Sequence, residues 1–158
     1  SWDWDLRTGD QRWSGELFHL LGLLPGEAAA TTERYLQVVH PDDRTALTAA
    51  IGAAASTGAP YRLDHRVLPA NGGAPRIVHA RGEVVLGKHG HPERVVGTVH
   101  DITERKRLEQ QLAHQAYHDP LTGLPNRARF TEELDAALRR AGKRAALAVL
   151  FLDLDRFK

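Results

Sequence analysis

The fold of this chain is decided by an alternating stretch, Tyr61-Arg62-Leu63-Asp64-His65-Arg66-Val67. Every second side chain along it is charged, and this period of two predicts a half-buried β-strand. The turn signal Asn71-Gly72 follows, and residues 76–86 and 94–102 predict two further long strands. Three consecutive strands joined by turns predict an antiparallel sheet.

The residues before this sheet predict two more strands and three helices. The strands cover residues 2–6 and 11–13, and the helices cover residues 16–21, 32–39 and a third segment that opens at His40-Pro41-Asp42. Ser14 is suited to cap the first helix, and Gly58 is suited to end the third. Together the elements predict an α+β domain built on a five-stranded antiparallel sheet with short flanking helices.

Composition excludes several classes of site. The chain has 21 Lys and Arg against 20 Asp and Glu, a net charge of +1, which gives no electrostatic reason to expect nucleic acid or an anionic membrane as partner. It has no cysteine, so disulfides, thiolate catalysis and cysteine-ligated metals are excluded. No apolar run approaches the ~20 residues of a membrane span. The absence of cysteine fits a cytoplasmic location. Because no methionine is present even at position 1, we expect a segment of a longer protein, which could be anchored in a membrane through its other segments.

The chain becomes helical and polar after the sheet. A helix over residues 103–117 carries a narrow apolar stripe of Leu108, Leu112 and Ala116, and Asp101 and Glu104 are spaced like a capping box. The stripe has two interpretations. It belongs to a surface helix folded back on the sheet, or to a two-stranded coiled coil that projects from the domain. The pattern alone favours the first.

The last forty residues predict the start of a second domain. Residues 118–127 form a loop rich in turn formers, and residues 128–140 form an amphipathic helix. Residues 145–152 are a continuous apolar run, which is typical of a strand buried on both faces. A helix followed by such a strand indicates an α/β-type domain.

Residues 2–104 resemble the PAS family. The resemblance is carried by Trp4-Asp5-Leu6 with Gly9, Leu20 to Leu23, His40 to Arg44, His65-Arg66-Val67, Asn71-Gly72, Val96 to His100 and Asp101-Ile102-Thr103-Glu104-Arg105-Lys106. The last stretch is similar to the ending that joins many PAS domains to an output helix, so Asp101, Ile102, Thr103 and Glu104 form a candidate signalling motif. The resemblance implies a PAS sensory domain over residues 1–102 and a signalling linker helix over residues 103–117.

Residues 117–158 resemble the opening of a GGDEF domain, the catalytic domain of diguanylate cyclases. The matching residues of the opening motif are Asp119, Leu121, Thr122, Gly123, Leu124, Pro125, Asn126 and Arg127, and a second match covers Phe151 to Lys158. The resemblance implies an N-terminal GGDEF fragment over residues 118–158, joined to the PAS domain by the linker helix. We expect this segment to be catalytically incomplete, because the family's GGDEF turn lies beyond Lys158.

The same resemblance implies Mg²⁺ and GTP as metal and substrate of the longer protein. Asp153 and the carbonyl of Leu154 would be metal ligands, and the backbone around Arg156 and Phe157, together with Lys158, would face phosphates. Taken without the resemblance, an Asp-x-Asp pair is more often two solvated acids at the end of a strand. The residues alone therefore leave the metal site open.

The sequence limits what the PAS domain can bind. Without cysteine, covalent flavin adducts and thioester chromophores are excluded. Haem is disfavoured, because no histidine lies in residues 42–57, where haem-binding relatives carry it, and His40, His65, His79 and His100 are expected in turns or on the sheet surface. Non-covalent flavin stays open. The N-terminal Trp residues are expected to pack in the core and at the sheet edge and not to form a chromophore cage. The ligand is expected to be an unidentified small molecule or none.

The resemblances imply a sensory and dimerisation module of a diguanylate cyclase, which makes cyclic di-GMP from two GTP held by two protomers. A homodimer through the PAS domain and the linker helix follows, and it favours the coiled-coil interpretation. An input domain of a PAS-GGDEF-EAL phosphodiesterase and a degenerate GGDEF receptor stay open. A histidine-kinase input domain is disfavoured, because Pro120, Gly123 and Pro125 break the helix that such a kinase needs after His118-Asp119.

Overall fold

A computed structural model of the chain describes residues 1–26, 29–141 and 148–150. The chain divides into two compact units, Ser1–Arg107 and Leu108–Lys158. Within the described ranges, none of the helices has both the length and the apolar character needed to cross a bilayer.

The first unit is an α+β domain, as predicted. Its elements are β1 (Trp2–Asp5), β2 (Gln11–Trp13), α1 (Gly15–Leu20), α2 (Thr32–Val38), α3 (Pro41–Thr57), β3 (Tyr61–Val67), β4 (Arg76–Leu86) and β5 (Pro92–Asp101). The five strands form one sheet in the order β2-β1-β5-β4-β3, and every neighbouring pair is antiparallel. The helix α4 (Thr103–Tyr117) leads out of this unit, and α5 (Arg127–Ala141) belongs to the second.

The core lies between the sheet and the helices. The largest fully buried side chains come from the loops and helices on one side and from the inner face of the sheet on the other: Leu21, Val39, Leu47, Val67, Val78 and Val95. The predicted helix ends are confirmed, because the Ser14 hydroxyl accepts a hydrogen bond from the Leu17 amide and Gly58 ends α3 with a φ of 76°.

His65 corrects one expectation. It is 2% exposed, and its Nε2 lies 2.8 Å from the hydroxyl of Tyr35, whereas the sequence predicts a position in a turn or on the sheet surface. The alternation along β3 turns His65 to the same side as the buried Val67, so the strand period decides its position. Burial lowers the pKa of His65 and raises the pKa of Tyr35, so both groups are held neutral.

The Asn71-Gly72 turn is not a tight hairpin. Val67 pairs with Arg76, so residues 68–75 form a longer connection between β3 and β4. The Ala70 amide donates to the carbonyl of Leu21 over 2.9 Å, which ties this connection to the end of α1. A tertiary contact therefore replaces the two-residue turn that the dipeptide predicts.

One row across the sheet pairs two aromatic residues with two glycines. Trp2, Gly97, Gly82 and Tyr61 lie in register on β1, β5, β4 and β3. A Cβ atom at Gly97 would lie 2.4 Å from the Trp2 ring and 2.1 Å from the Arg81 carbonyl oxygen, and one at Gly82 would lie 2.4 Å from the Tyr61 ring. The glycines thus leave the space in which the two rings stack, with centroids 6.4 Å apart.

An ion pair joins β3 to the first turn of α3. The Asp43 carboxylate accepts hydrogen bonds from the Arg66 amide at 2.8 Å, from Nε at 2.9 Å and from Nη2 at 2.7 Å. Asp43 is largely shielded, with 22% of its side chain exposed. These hydrogen bonds from Arg66 lower the pKa of Asp43 to about 2.

We predict that Gly97→Ala destabilises the chain by about 1–3 kcal/mol, because the new methyl group overpacks the sheet against Trp2 and Arg81. Urea denaturation measures the change. Gly52→Ala is the matched control: Gly52 lies in α3 with nothing within 4 Å of its added Cβ, so this variant should gain about 0.5–1 kcal/mol. Equal stability of Gly97→Ala and the wild type would contradict the packing argument.

We predict that Asp43→Asn costs about 1.5 kcal/mol at neutral pH, because it removes the charge from the Arg66 hydrogen bonds. The folded-state pKa is lowered, so this contribution is complete above the ordinary pKa of 3.8 and is lost as the pH falls towards about 2. Urea denaturation across this range should therefore show a smaller pH dependence in the variant. Asp42→Asn, at a side chain that is 71% exposed, should change stability by less than about 0.5 kcal/mol. A larger effect at Asp42 than at Asp43 is the result that contradicts this assignment.

Candidate functional site

A small aromatic cavity lies on the inner face of the sheet. Its lining includes Trp2, Trp4, Trp13, Tyr35 and Tyr61, and its volume is about 40 Å³. This holds a few waters at about 10–15 Å³ each and is far below the roughly 300–1,000 Å³ of ordinary ligand sites. In this conformation the cavity therefore has room for a few waters, and the ligand of the domain stays a prediction. All three Trp residues are half-buried, and Trp2 and Trp13 pack against the core cluster.

The predicted signalling motif lies where the sheet passes into α4. Ile102 is buried, and its amide donates to the carbonyl of Ile77 over 2.8 Å. The Ile77 amide in turn donates to the Thr103 hydroxyl over 2.9 Å. Asp101 caps the helix, but it accepts the Thr103 amide at 2.9 Å instead of forming the predicted capping box with Glu104, which is exposed. The first residue of α4 is thereby attached to the start of β4.

The apolar stripe of α4 is exposed. Leu108 and Leu112 are 49% and 67% exposed, and α4 contains no buried residue. Both interpretations of the stripe stay predictions.

The first half of the GGDEF opening motif is a turn closed by Asp119. Its Oδ1 accepts the amides of Leu121 and Thr122 at 3.2 and 2.9 Å and the Thr122 hydroxyl at 2.8 Å. These bonds, led by the Thr122 amide, lower the pKa of Asp119. The Gly123 amide donates to the Asp119 carbonyl, and Gly123 has a φ of 70°, a conformation that favours glycine. Leu121 and Leu124 are exposed.

The second half of the motif ties α4 to α5 through Asn126. Its Nδ2 donates to the Ala116 carbonyl at 2.9 Å, its amide donates to the Tyr117 carbonyl at 2.8 Å, and its Oδ1 accepts the Arg129 amide at 3.1 Å. Asn126 therefore satisfies the open end of one helix and caps the start of the next. Pro125 forms a bridge with His118 on the other side of the loop, and Arg127 is the first residue of α5.

Tyr117 adds a contact that sequence reasoning missed. Its hydroxyl donates to Glu132 Oε1 over 3.1 Å, and the Arg129 guanidinium lies 5.8 Å from the ring centre. Arg129 also pairs with Glu133 at 2.7 Å. The four-residue spacing of Arg129 and Glu133 is a sequence signal for an ion pair on one helix face. The hydrogen bond from Tyr117 to Glu132 crosses the loop, so no local sequence pattern predicts it.

The predicted metal and phosphate residues lie outside the described residues. They are Asp153, Leu154, Arg156, Phe157 and Lys158. Of the predicted buried strand over residues 145–152, residues 148–150 are described; they are not in a strand, and Val149 and Leu150 are exposed. A strand that is buried on both faces needs neighbouring strands to pair with, and the described part of the second unit contains none. This explains why the described residues of the segment are not in a strand.

Comparisons with family models match both halves of the chain. Residues 11–99 match the PAS fold, and residues 116–158 match the diguanylate cyclase GGDEF domain in part. The second match begins at the end of α4 and covers the loop closed by Asp119 and Asn126.

Known proteins share one or both parts. The uncharacterized protein y4lL of Sinorhizobium fredii is 37% identical over 136 residues, which cover 82% of this chain and 16% of that protein. The diguanylate cyclase TpbB of Pseudomonas aeruginosa is 65% identical over 48 residues, 30% of this chain and 11% of the cyclase. The chain thus spans less than a fifth of these relatives.

A solved structure supports the fold. The N-terminal domain of a diguanylate cyclase with PAS/PAC sensor from Marinobacter aquaeolei has a TM-score of 0.60 at 21% identity, covering 66% of this chain and 95% of that one. With the five-stranded sheet and the family matches, the conclusion is that this chain belongs to the PAS fold family and continues through a helix into the first part of a GGDEF domain.

Proposed function

We propose that this chain is the sensory and dimerisation module of a diguanylate cyclase, with α4 and the Asp119–Arg127 loop as the connection between sensor and catalytic domain. The observation that carries the proposal is that hydrogen bonds hold both ends of α4. Ile77 holds its first residue, and Asn126 holds its last turn. Because hydrogen bonds hold both ends of the helix, a rotation or tilt of α4 at the sheet would also move the Asp119–Arg127 loop.

Dimerisation supplies the direct link to catalysis. Joining two GTP into one cyclic product needs two catalytic domains face to face, which a two-fold symmetric pair provides. The exposed stripe of Leu108 and Leu112 on α4 is suited to such a pairing, since burial of each apolar side chain against a second copy stabilises the dimer. The helix would then set how the catalytic domains meet.

The catalytic part of the proposal rests on the residues after α5. Asp153 and the Leu154 carbonyl would hold Mg²⁺, which prefers oxygen ligands and phosphate, and Arg156, Phe157 and Lys158 would face the phosphates of GTP. Mg²⁺ would supply charge neutralisation on the triphosphate. The 158 residues contain no Gly-Gly-Asp-Glu-Phe sequence, so we expect no cyclic di-GMP from the chain alone. The proposed location is the cytoplasm, where GTP is available.

The activity test uses the natural protein that carries this chain, with GTP and Mg²⁺, and measures cyclic di-GMP by chromatography. We predict that the wild type makes the product and that Asp153→Asn lowers the rate by about 100-fold or more, because a metal ligand is lost. Asp135→Asn makes the same chemical change at an exposed position of α5 and should keep the activity. Hydrolysis of cyclic di-GMP without synthesis, or full activity of Asp153→Asn, would reject the cyclase assignment.

The dimer test uses the 158-residue chain in sedimentation-velocity experiments at several concentrations. We predict a reversible dimer for the wild type and a monomer for Leu112→Asp, because a charge at the helix seam cannot be buried without a partner. Gln110→Asp places the same charge on the opposite side of α4 and should leave the dimer intact. A wild type that stays monomeric at high concentration, or equal effects of both variants, would contradict pairing through the stripe.

A further inference from the structure

Three polar side chains from different elements meet where α4 leaves the sheet. His79 Nδ1 on β4 lies 2.7 Å from Oδ1 of Asp64 on β3. The ammonium of Lys106, in the first turn of α4, lies 3.3 Å from Oδ2 of the same carboxylate. The three side chains, called the Asp64 cluster below, are 35–40% exposed, so protons from solvent reach them.

Strand register explains how the cluster forms. Asp64 and His79 are direct cross-strand partners, and His79 is in turn the partner of His100 on β5. Successive side chains of a strand point to opposite faces of the sheet. Because the neighbouring His65 and Val78 are buried in the core, Asp64 and His79 lie on the outer face.

The geometry determines which nitrogen of His79 titrates. An ionised carboxylate only accepts, so Nδ1 donates to Asp64 and the lone pair of the neutral ring is on Nε2. The hydrogen bond from His79, and after it the Lys106 ammonium, lower the pKa of Asp64. The carboxylate is therefore charged throughout the range of about pH 5–8 in which imidazoles change their charge. Proton uptake at Nε2 adds a positive charge and leaves the Nδ1 bond in place.

We propose that the Asp64 cluster is a proton-sensitive contact, which holds the first turn of α4 on the sheet at neutral pH and weakens in acid. While the histidines are neutral, the Lys106 ammonium faces the single negative charge of Asp64. Protonation of His79 cancels this charge, and protonation of His100 places a further positive charge beside it. Since His79 and Lys106 bind the same carboxylate, they lie well within the ~8–10 Å over which salt screens charges, and they then repel each other.

The other charged side chains around His79 keep their charge in this range. Alternation places Arg62 and Arg66 of β3 and Arg81 of β4 on the same face, and arginine stays protonated. Arg66 and Arg81 each pair with an acid of their own. The charged neighbours of Lys106 along α4 are Glu104, Arg105, Arg107 and Glu109. Among all these residues, His79 and His100 are the ones whose charge changes.

The contact adds a regulation to the proposed function, in which α4 connects the sensor to the catalytic domain. The proposal rests on that function for its effect on catalysis. The contact itself is measured in the 158-residue chain without GTP, so its failure is distinguished from a failure of the cyclase assignment, which the Asp153→Asn variant tests.

Amide hydrogen exchange of the 158-residue chain tests the contact at about pH 7.5 and about pH 5.5. The probes are the amides of residues 106 and 107, and protection factors correct for the intrinsic exchange rate at each pH. We predict that Lys106→Gln lowers their protection about two- to five-fold at the higher pH, the range for a partly exposed ion pair, and less than about 1.5-fold at the lower pH. Comparing both chains at one pH cancels the acid sensitivity of the rest of the domain.

His79→Gln is the matched test, because a glutamine amide still donates to Asp64 but takes up no proton. In this background Lys106→Gln should have the same effect at both pH values. His89→Gln, in the turn between β4 and β5, should keep the pH dependence of the wild type. Arg107→Gln removes the same charge from the next, exposed position and should lower protection less than about 1.5-fold at either pH.

A second measurement on the wild type does not depend on any variant. Histidine ¹⁵N spectra at the higher pH should show the proton of the neutral His79 ring on Nδ1. The proposal is overturned if Lys106→Gln has the same effect at both pH values in the wild type, if His79→Gln keeps the pH dependence, if Arg107→Gln lowers protection as much as Lys106→Gln, or if the neutral His79 carries its proton on Nε2.

Discussion

The connection between sheet and helix depends on the hydrogen bonds around Ile77. Its carbonyl accepts the Ile102 amide and its amide donates to the Thr103 hydroxyl, so the β4–β5 ladder continues into the first residue of α4. Both backbone groups of Ile77 are used in these bonds, and Ile102 is buried, so the start of α4 is held against β4. A change in the sheet at β4 therefore reaches α4 through two short bonds and not through a flexible linker.

Two glycines on the central strands shape the interior of the PAS domain. Gly82 and Gly97 have no side chain, and the rings of Tyr61 and Trp2 occupy the space above them. The cavity that stays open is small because these rings close over it. Trp2 lies on β1 next to β5, and Tyr61 lies on β3 next to β4. A displacement of either ring would therefore change the packing against these two central strands.

Strand periodicity and helix-ending residues predicted most of the fold. The bounds of β4 and α4 agree with the alternation before Gly87 and with the polar run after Asp101, because local pattern and tertiary environment favour the same structure there. His65 was misplaced because its residue type suggested a surface position while its strand register buried it. The loop at Asn71 was misjudged because its contact with Leu21 is remote in sequence. For the same reason no pattern could predict the bond of Tyr117 to Glu132 or the size of the cavity.

The loop from Asp119 to Asn126 is held by hydrogen bonds of short sequence range. Its hydrogen bonds join residues that are close in sequence, with the longest reaching from Asn126 to Ala116 and Tyr117. Contacts of such short range close small loops and form early, before long-range strand pairing is complete. During synthesis on the ribosome this loop and the start of α5 are therefore able to order early, directly after α4 and independently of long-range contacts.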